Sequence, residues 1–128
     1  VVLGNSVKSI GYSAFNNTKI ETIIIPDSVK SIGDYAFYNC SSLTSVVLGN
    51  SLTSLGDYVF SGSSSSLTSL KIPYSLWSVN GYSSSTFSDS SITTLCYVKG
   101  ATTCTAGTST VGGKSMTIKC IEEGDTCP

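Results

Sequence analysis

The chain contains no histidine, no arginine and no glutamine, and only 12% of its 128 residues are charged. Without histidine it lacks the commonest general base and metal ligand. Seven lysines stand against eight carboxylates, a formal net charge of -1, so there is no basic stripe to neutralise phosphates. Nucleic acid and anionic membrane surfaces are therefore not expected partners. Aliphatic runs stop at triplets such as Ile23 to Ile25, far below the roughly 18 residues of a membrane-spanning helix, so no membrane insertion is expected. The first residue is Val1, and neither a charged n-region nor an apolar h-region follows it. That start reads as a processed chain or a segment of a longer precursor. What fills the sequence instead is hydroxyl: 26 serines and 15 threonines.

The chain repeats itself. Val7-Lys8-Ser9-Ile10-Gly11 recurs as Val29-Lys30-Ser31-Ile32-Gly33, as Leu52-Thr53-Ser54-Leu55-Gly56, and in decayed form as Leu76-Trp77-Ser78-Val79-Asn80. An aromatic anchor follows each block: Phe15, Phe37, Phe60 and Phe87. Units begin at Val1, Ile23, Val46 and Leu70, with a fifth strand at Leu95. A period of this size signals a stacked repeat architecture. Each unit opens with an apolar-x-apolar strand that buries alternate residues: Val1 and Leu3, Ile23 and Ile25, Val46 and Leu48, Leu70 and Ile72. Gly4, Pro26, Gly49 and Pro73 end these strands, and polar turn residues follow. A polar connection then returns through Ile10, Ile32, Leu55 and Val79 past the phenylalanine. One coil cannot bury its own apolar face, so like residues of successive coils must stack into ladders.

The stretch Val29 to Leu43 carries Ile32-Gly33, Ala36-Phe37 and Cys40 in the order apolar-x-x-Ile-Gly-x-x-Ala-Phe-x-x-Cys-x-x-Leu. It resembles the BspA-type leucine-rich repeat of surface and secreted proteins. The resemblance covers about residues 1–94, in four units starting at 1, 23, 46 and 70. The first unit lacks the cysteine, and the fourth replaces the glycine step with Asn80-Gly81 and pushes Phe87 late. The resemblance implies a leucine-rich repeat solenoid, with a short parallel β-sheet on one face and turns and short helical segments on the other. It implies an extracellular or cell-surface location and no chemistry of its own.

From Leu95 the phase is lost, and residues 95–128 read as a β-rich C-terminal cap. Four of the five cysteines, Cys96, Cys104, Cys120 and Cys127, lie there. Their intervals of 8, 16 and 7 residues suit zinc poorly, since zinc sites use closely spaced pairs. An even set in such a segment reads as two disulfides, which points outside the cell; three pairings remain open. Cys40 reads as a buried free thiol packed between coils. Ser115 to Ile121 alternates cleanly and should be a strand with Met116, Ile118 and Cys120 inward.

No catalytic constellation, cofactor motif or metal cluster stands out, so the chain reads as non-enzymatic. Asp34 and Asp57 fit caps of the turns that follow them, and Glu122, Glu123 and Asp125 fit a solvated loop. The more informative positions face outward from the strands: Val2, Ile24, Val47, Lys71 and Cys96, beside the hydroxyl row Thr22, Ser45, Ser69 and Thr94. Three aliphatics in one outward row mark either an interaction surface or strand propensity alone. Asn16 and Asn39 head N-glycosylation sequons, which count in a secreting eukaryote, and Ser61 to Ser66 is a candidate for O-glycans. The leading expectation is an extracellular module for protein or glycan interaction, such as surface adhesion. The alternative is a homo-polymer, in which the open first coil docks head to tail on the next copy's cap.

Overall fold

The computed structural model describes residues 2–62 and 66–128. Val1, expected inward, and the central serines of the Ser61 to Ser66 loop lie outside the described residues. In chain order the elements are β1 (Ser9–Ile10), β2 (Thr22–Ile24), β3 (Ser31–Ile32), β4 (Ser45–Val47), β5 (Ser54–Leu55), β6 (Ser69–Ile72), α1 (Tyr74–Trp77), β7 (Thr94–Val98), β8 (Gly107–Val111) and β9 (Lys114–Ile121).

The apolar-x-apolar segments stack in parallel as the repeat demands. Strand β2 pairs with β4 in the register Ile23↔Val46, β6 pairs with β7 as Leu70↔Leu95, and Val2 bridges to Ile24. Ile23, Ile25, Val46, Leu48, Leu70 and Ile72 are buried while Ile24 and Val47 stay out, the period-two signature of a half-buried strand. Four phenylalanines form a continuous stack through the core. Ring centroids are 5.4 Å apart for Phe15 and Phe37, 5.8 Å for Phe37 and Phe60, and 6.1 Å for Phe60 and Phe87. Two residues past each phenylalanine the backbone turns left-handed, at Asn17, Asn39, Gly62 and Asp89, and asparagine, glycine and aspartate are the residues that tolerate that conformation.

The polar connection that returns through Ile10, Ile32 and Leu55, read as turns and short helical segments, is a second parallel sheet, β1-β3-β5. Its strands contribute Ile10, Ile32 and Leu55 to the core and turn Ser9, Ser31 and Ser54 outward. Two residues per coil are too few to display a period, which is why the sequence pattern does not announce it. The rest of that side is turns, with one helical turn, α1, among the described residues. Asp34 does not cap its own turn. Its Oδ1 accepts the backbone N–H of Asp57 one coil on, at 2.8 Å, and Asp27 receives the N–H of Asn50 in the same way at 2.8 Å. These carboxylates lace neighbouring coils together.

The fourth unit departs further than its sequence suggests. Val79, expected inward, is 61% exposed, and Leu76 on α1 fills the core. The second sheet stops at β5, where Leu55 donates its N–H to the Gly81 carbonyl at 2.8 Å. A Cβ at Gly81 would lie 2.0 Å from the Thr53 carbonyl oxygen, so only glycine lets the chain pass so close. Trp77 stacks on Tyr97 with centroids 5.1 Å apart, and its indole N–H donates to the Val98 carbonyl at 2.8 Å.

Beyond residue 94 the stacking phase resumes. Strand β9 lies parallel to β7 with Leu95 opposite Ile118, and β8 folds back antiparallel on β9 through Gly112 and Gly113, both at positive φ. Met116 and Ile118 are buried. Disulfides join Cys96 to Cys127 and Cys104 to Cys120. Cys40 is a buried free thiol whose Sγ donates to the Phe15 carbonyl at 3.1 Å.

Candidate functional site

The outward row of the first sheet begins as an apolar stripe. Val2 is 92% exposed, Ile24 60% and Val47 49%; Ile24 and Val47 occupy the outward phase of strands whose flanking residues fill the core, and Val2 bridges to Ile24. The next member, Lys71, is half-buried. Cys96, expected to continue the open row, is fully buried. It does face outward, opposite Lys71 in the sheet register, but its disulfide to Cys127 lays the C-terminal segment across it. The Lys71 ammonium donates to the Glu123 carbonyl, and Lys99 pairs with Glu122 at 3.2 Å. Residues 122–127 thus form a strap that closes the row at its far end.

Between the first coil and the strap lies a groove of about 750 Å³. Its floor is Ile24 and Val47, its flank Pro26, Asp27 and Asn50, and its end wall Lys71 and Glu123. An apolar floor with a few fixed polar groups at the rim suits an extended segment or small surface of a partner. Thr22 and Ser45 lie beside the stripe in register. The hydroxyl row runs on through Ser69, Thr94, Thr117 and Thr108, each opposite the next. Thr117 and Thr108 escaped sequence reasoning because their strands are out of phase with the repeat motif until β9 is seen to pair with β7.

The candidate glycosylation residues are both exposed but not equivalent in the coil. The Asn39 side-chain N–H donates to Asn17 Oδ1 at 3.1 Å, whereas that of Asn16 donates to Ser13 Oγ at 3.3 Å. The acidic loop is tied up locally: Glu122 meets Lys99, and Asp125 Oδ2 accepts the Glu122 N–H at 3.0 Å. Among the described residues no group of three histidines, cysteines or carboxylates could hold a metal ion, and no helix is long and apolar enough to cross a membrane.

Two titrating groups are perturbed at the junction of the third and fourth coils. Hydrogen bonds from Ser83 and Ser85 hold the Asp57 carboxyl below its ordinary range. Burial, together with Tyr97, pushes the Tyr82 hydroxyl far above that of a free tyrosine. A second feature went unread in the sequence, a cluster of four tyrosine rings on the turns after β1, β3 and β5. The repeated Gly-Asp-Tyr at residues 33–35 and 56–58 was its only trace.

The chain matches the model of the BspA type leucine rich repeat region over residues 1–107, in six copies. That match continues past residue 94 into β7 and the loop that follows. No curated protein is significantly similar to the chain.

Proposed function

Because the chain belongs to the BspA-type leucine-rich repeat family, whose repeats are scaffolds for protein interaction at surfaces, we propose that it is an extracellular adhesion module. It contacts a protein or glycan of a cell or matrix surface through Val2, Ile24 and Val47. Thr22, Ser45, Ser69 and Lys71 line the contact. The observation that carries this reading is the continuous outward aliphatic row, open over the first coils and walled at its far end by the strap. Strand propensity accounts for valine and isoleucine there, but not for a row that ends in a built wall. The disulfides suit an oxidising compartment, and in a secreting eukaryote Asn16 and Asn39 would carry glycans away from the groove.

The test is the double substitution Ile24→Lys with Val47→Lys. Both side chains are exposed, so stability should move by no more than about 0.5 kcal/mol, while retention on immobilised cell-surface and matrix proteins is lost. Unchanged retention by the folded variant would remove the sheet face from the account.

A second reading is head-to-tail association of copies into a fibre. Leu3, Val7, Phe15 and Ile20 are only partly buried, whereas their counterparts Ile25, Val29, Phe37 and Leu43 are buried; such a face accepts another coil, be it a preceding repeat of the same chain or a second copy. Sedimentation over a range of concentrations separates the readings, since a fibre subunit grows in mass and a monomeric adhesin does not.

A further inference from the structure

The tyrosine cluster lies apart from the groove and has no part in the reading above. Four of the seven tyrosines meet on the turns that follow the second sheet, with Tyr35 as the hub. Its ring centroid is 5.9 Å from Tyr12, 5.3 Å from Tyr38 and 5.5 Å from Tyr58. The patch is open to solvent: Tyr12 is 71% exposed and Tyr38 37%. Packing of the core does not require these rings.

The backbone makes tyrosine an odd choice here. Tyr35 and Tyr58 have φ of 59° and 54°, a left-handed conformation that bulky side chains rarely adopt and that asparagine or glycine would take readily. The first coil places Ser13 at the equivalent position, φ 54°, and supplies its ring from the preceding residue, Tyr12. The ring cluster is thus kept across three coils although the local backbone favours other residues.

Ring orientation and charge indicate what such a patch receives. Tyr12 and Tyr38 stand at 68° and 71° to Tyr35, in edge-to-face contact with it, and the exposed parts of the Tyr12 and Tyr38 rings are left to a partner. Such small exposed faces suit a compact cation, whereas a sugar ring stacks best on one broad open face, and the Tyr35 and Tyr58 faces are turned to each other at 21°. Two carboxylates neighbour the cluster along the chain: Asp34 and Asp57 each immediately precede a tyrosine of the hub pair, Asp34 Oδ1 accepting the Asp57 N–H and Asp57 Oδ1 the Ser85 hydroxyl. The Asp57 carboxylate acts on the Tyr35 hydroxyl, helping to raise its pKa after the larger effects of burial and the neighbouring tyrosines. Negative ring faces together with fixed carboxylates attract cations.

We propose that Tyr12, Tyr35, Tyr38 and Tyr58, with Asp34 and Asp57, form a docking site for a cationic side chain of a protein partner, arginine above lysine. Arginine is preferred because its planar guanidinium stacks on aromatic faces and pairs with carboxylates at the same time.

The test follows the tyrosine ring resonances of the oxidised full chain by NMR during titration with three probes. These are a short glycine-arginine peptide, the same peptide with uncharged citrulline for arginine, and a cellulose-derived oligosaccharide. The arginine peptide should shift the rings of Tyr12, Tyr35 and Tyr38, with the citrulline peptide at least about tenfold weaker. Tyr35→Asn suits the left-handed backbone and should weaken the arginine peptide by a similar factor. Should that variant fold poorly, Tyr12→Ser removes a ring too exposed to matter for folding and should also weaken binding. No shift with the arginine peptide, equal shifts with citrulline, a response to the oligosaccharide alone, or unaltered binding by Tyr12→Ser would each overturn the proposal.

Discussion

Up to β5 two sheets hold each coil to the next by like residues meeting like, whereas from β6 onward the first sheet alone continues that way and unlike groups stand in for the second. In the first region Ser9, Ser31 and Ser54 align, as do Ile10, Ile32 and Leu55; phenylalanine stacks on phenylalanine, and carboxylates bind the coil above. In the second region the second sheet is gone. Its place is taken by α1, by the Trp77 and Tyr97 stack, by the half-buried Tyr82, and by two disulfides. The difference traces to the fourth unit, where the late Phe87 and the serine-rich stretch before it lengthen the return path. Ladders need equal coils; where coils become unequal, larger aromatic side chains and covalent bonds hold the stack.

The sharpest way to break this comparison is through the phenylalanine stack. Phe37 is fully buried between Phe15 and Phe60, and Phe37→Ala should cost about 3 to 5 kcal/mol. Calorimetric melting should show the first region lost altogether. A melt like that of the parent would mean that the ladder is not what holds the coils.

The ladder was the legible part of the fold because its signal recurs: an aromatic at each unit, with aliphatics at fixed offsets, constrains the stacking without any three-dimensional information. The second sheet was not legible, since two residues per coil show no alternation. Nor was the strap. Cys96 occupies an outward strand position by every sequence rule, and only the pairing with Cys127, one of three combinations, reveals that it is covered. The groove was therefore half read, its apolar floor visible in Val2, Ile24 and Val47 and its end wall hidden. The tyrosine patch escaped for a related reason, because Tyr12 reaches the hub from a different repeat position than Tyr35 and Tyr58.

A smaller effect separates the regions by pH. The Tyr82 side chain is half-buried and its hydroxyl donates to that of Tyr97 at 3.2 Å; desolvation, with Tyr97, raises its pKa. An unfolded tyrosine ionises near about pH 10, so the contribution of Tyr82 is fully present below that value and falls as pH rises beyond it toward the folded pKa. Alkaline unfolding followed by circular dichroism should begin in the second region, and Tyr82→Phe should move it to higher pH. No change in the alkaline midpoint would take Tyr82 out of this role.

The most direct test of the two-region account is amide hydrogen exchange, resolved by residue, on the oxidised and the fully reduced protein. The account predicts that reduction exposes the tail, with faster exchange at Thr117, which donates to the Thr93 carbonyl, and at Lys99, which donates to the Ile121 carbonyl. It predicts that Ile25, Phe37 and Gly56, which donate to the next or preceding coil of the ladder region, keep their protection. Equal loss of protection in both regions would contradict it, because the first coils would then depend on the disulfides and not on their ladders.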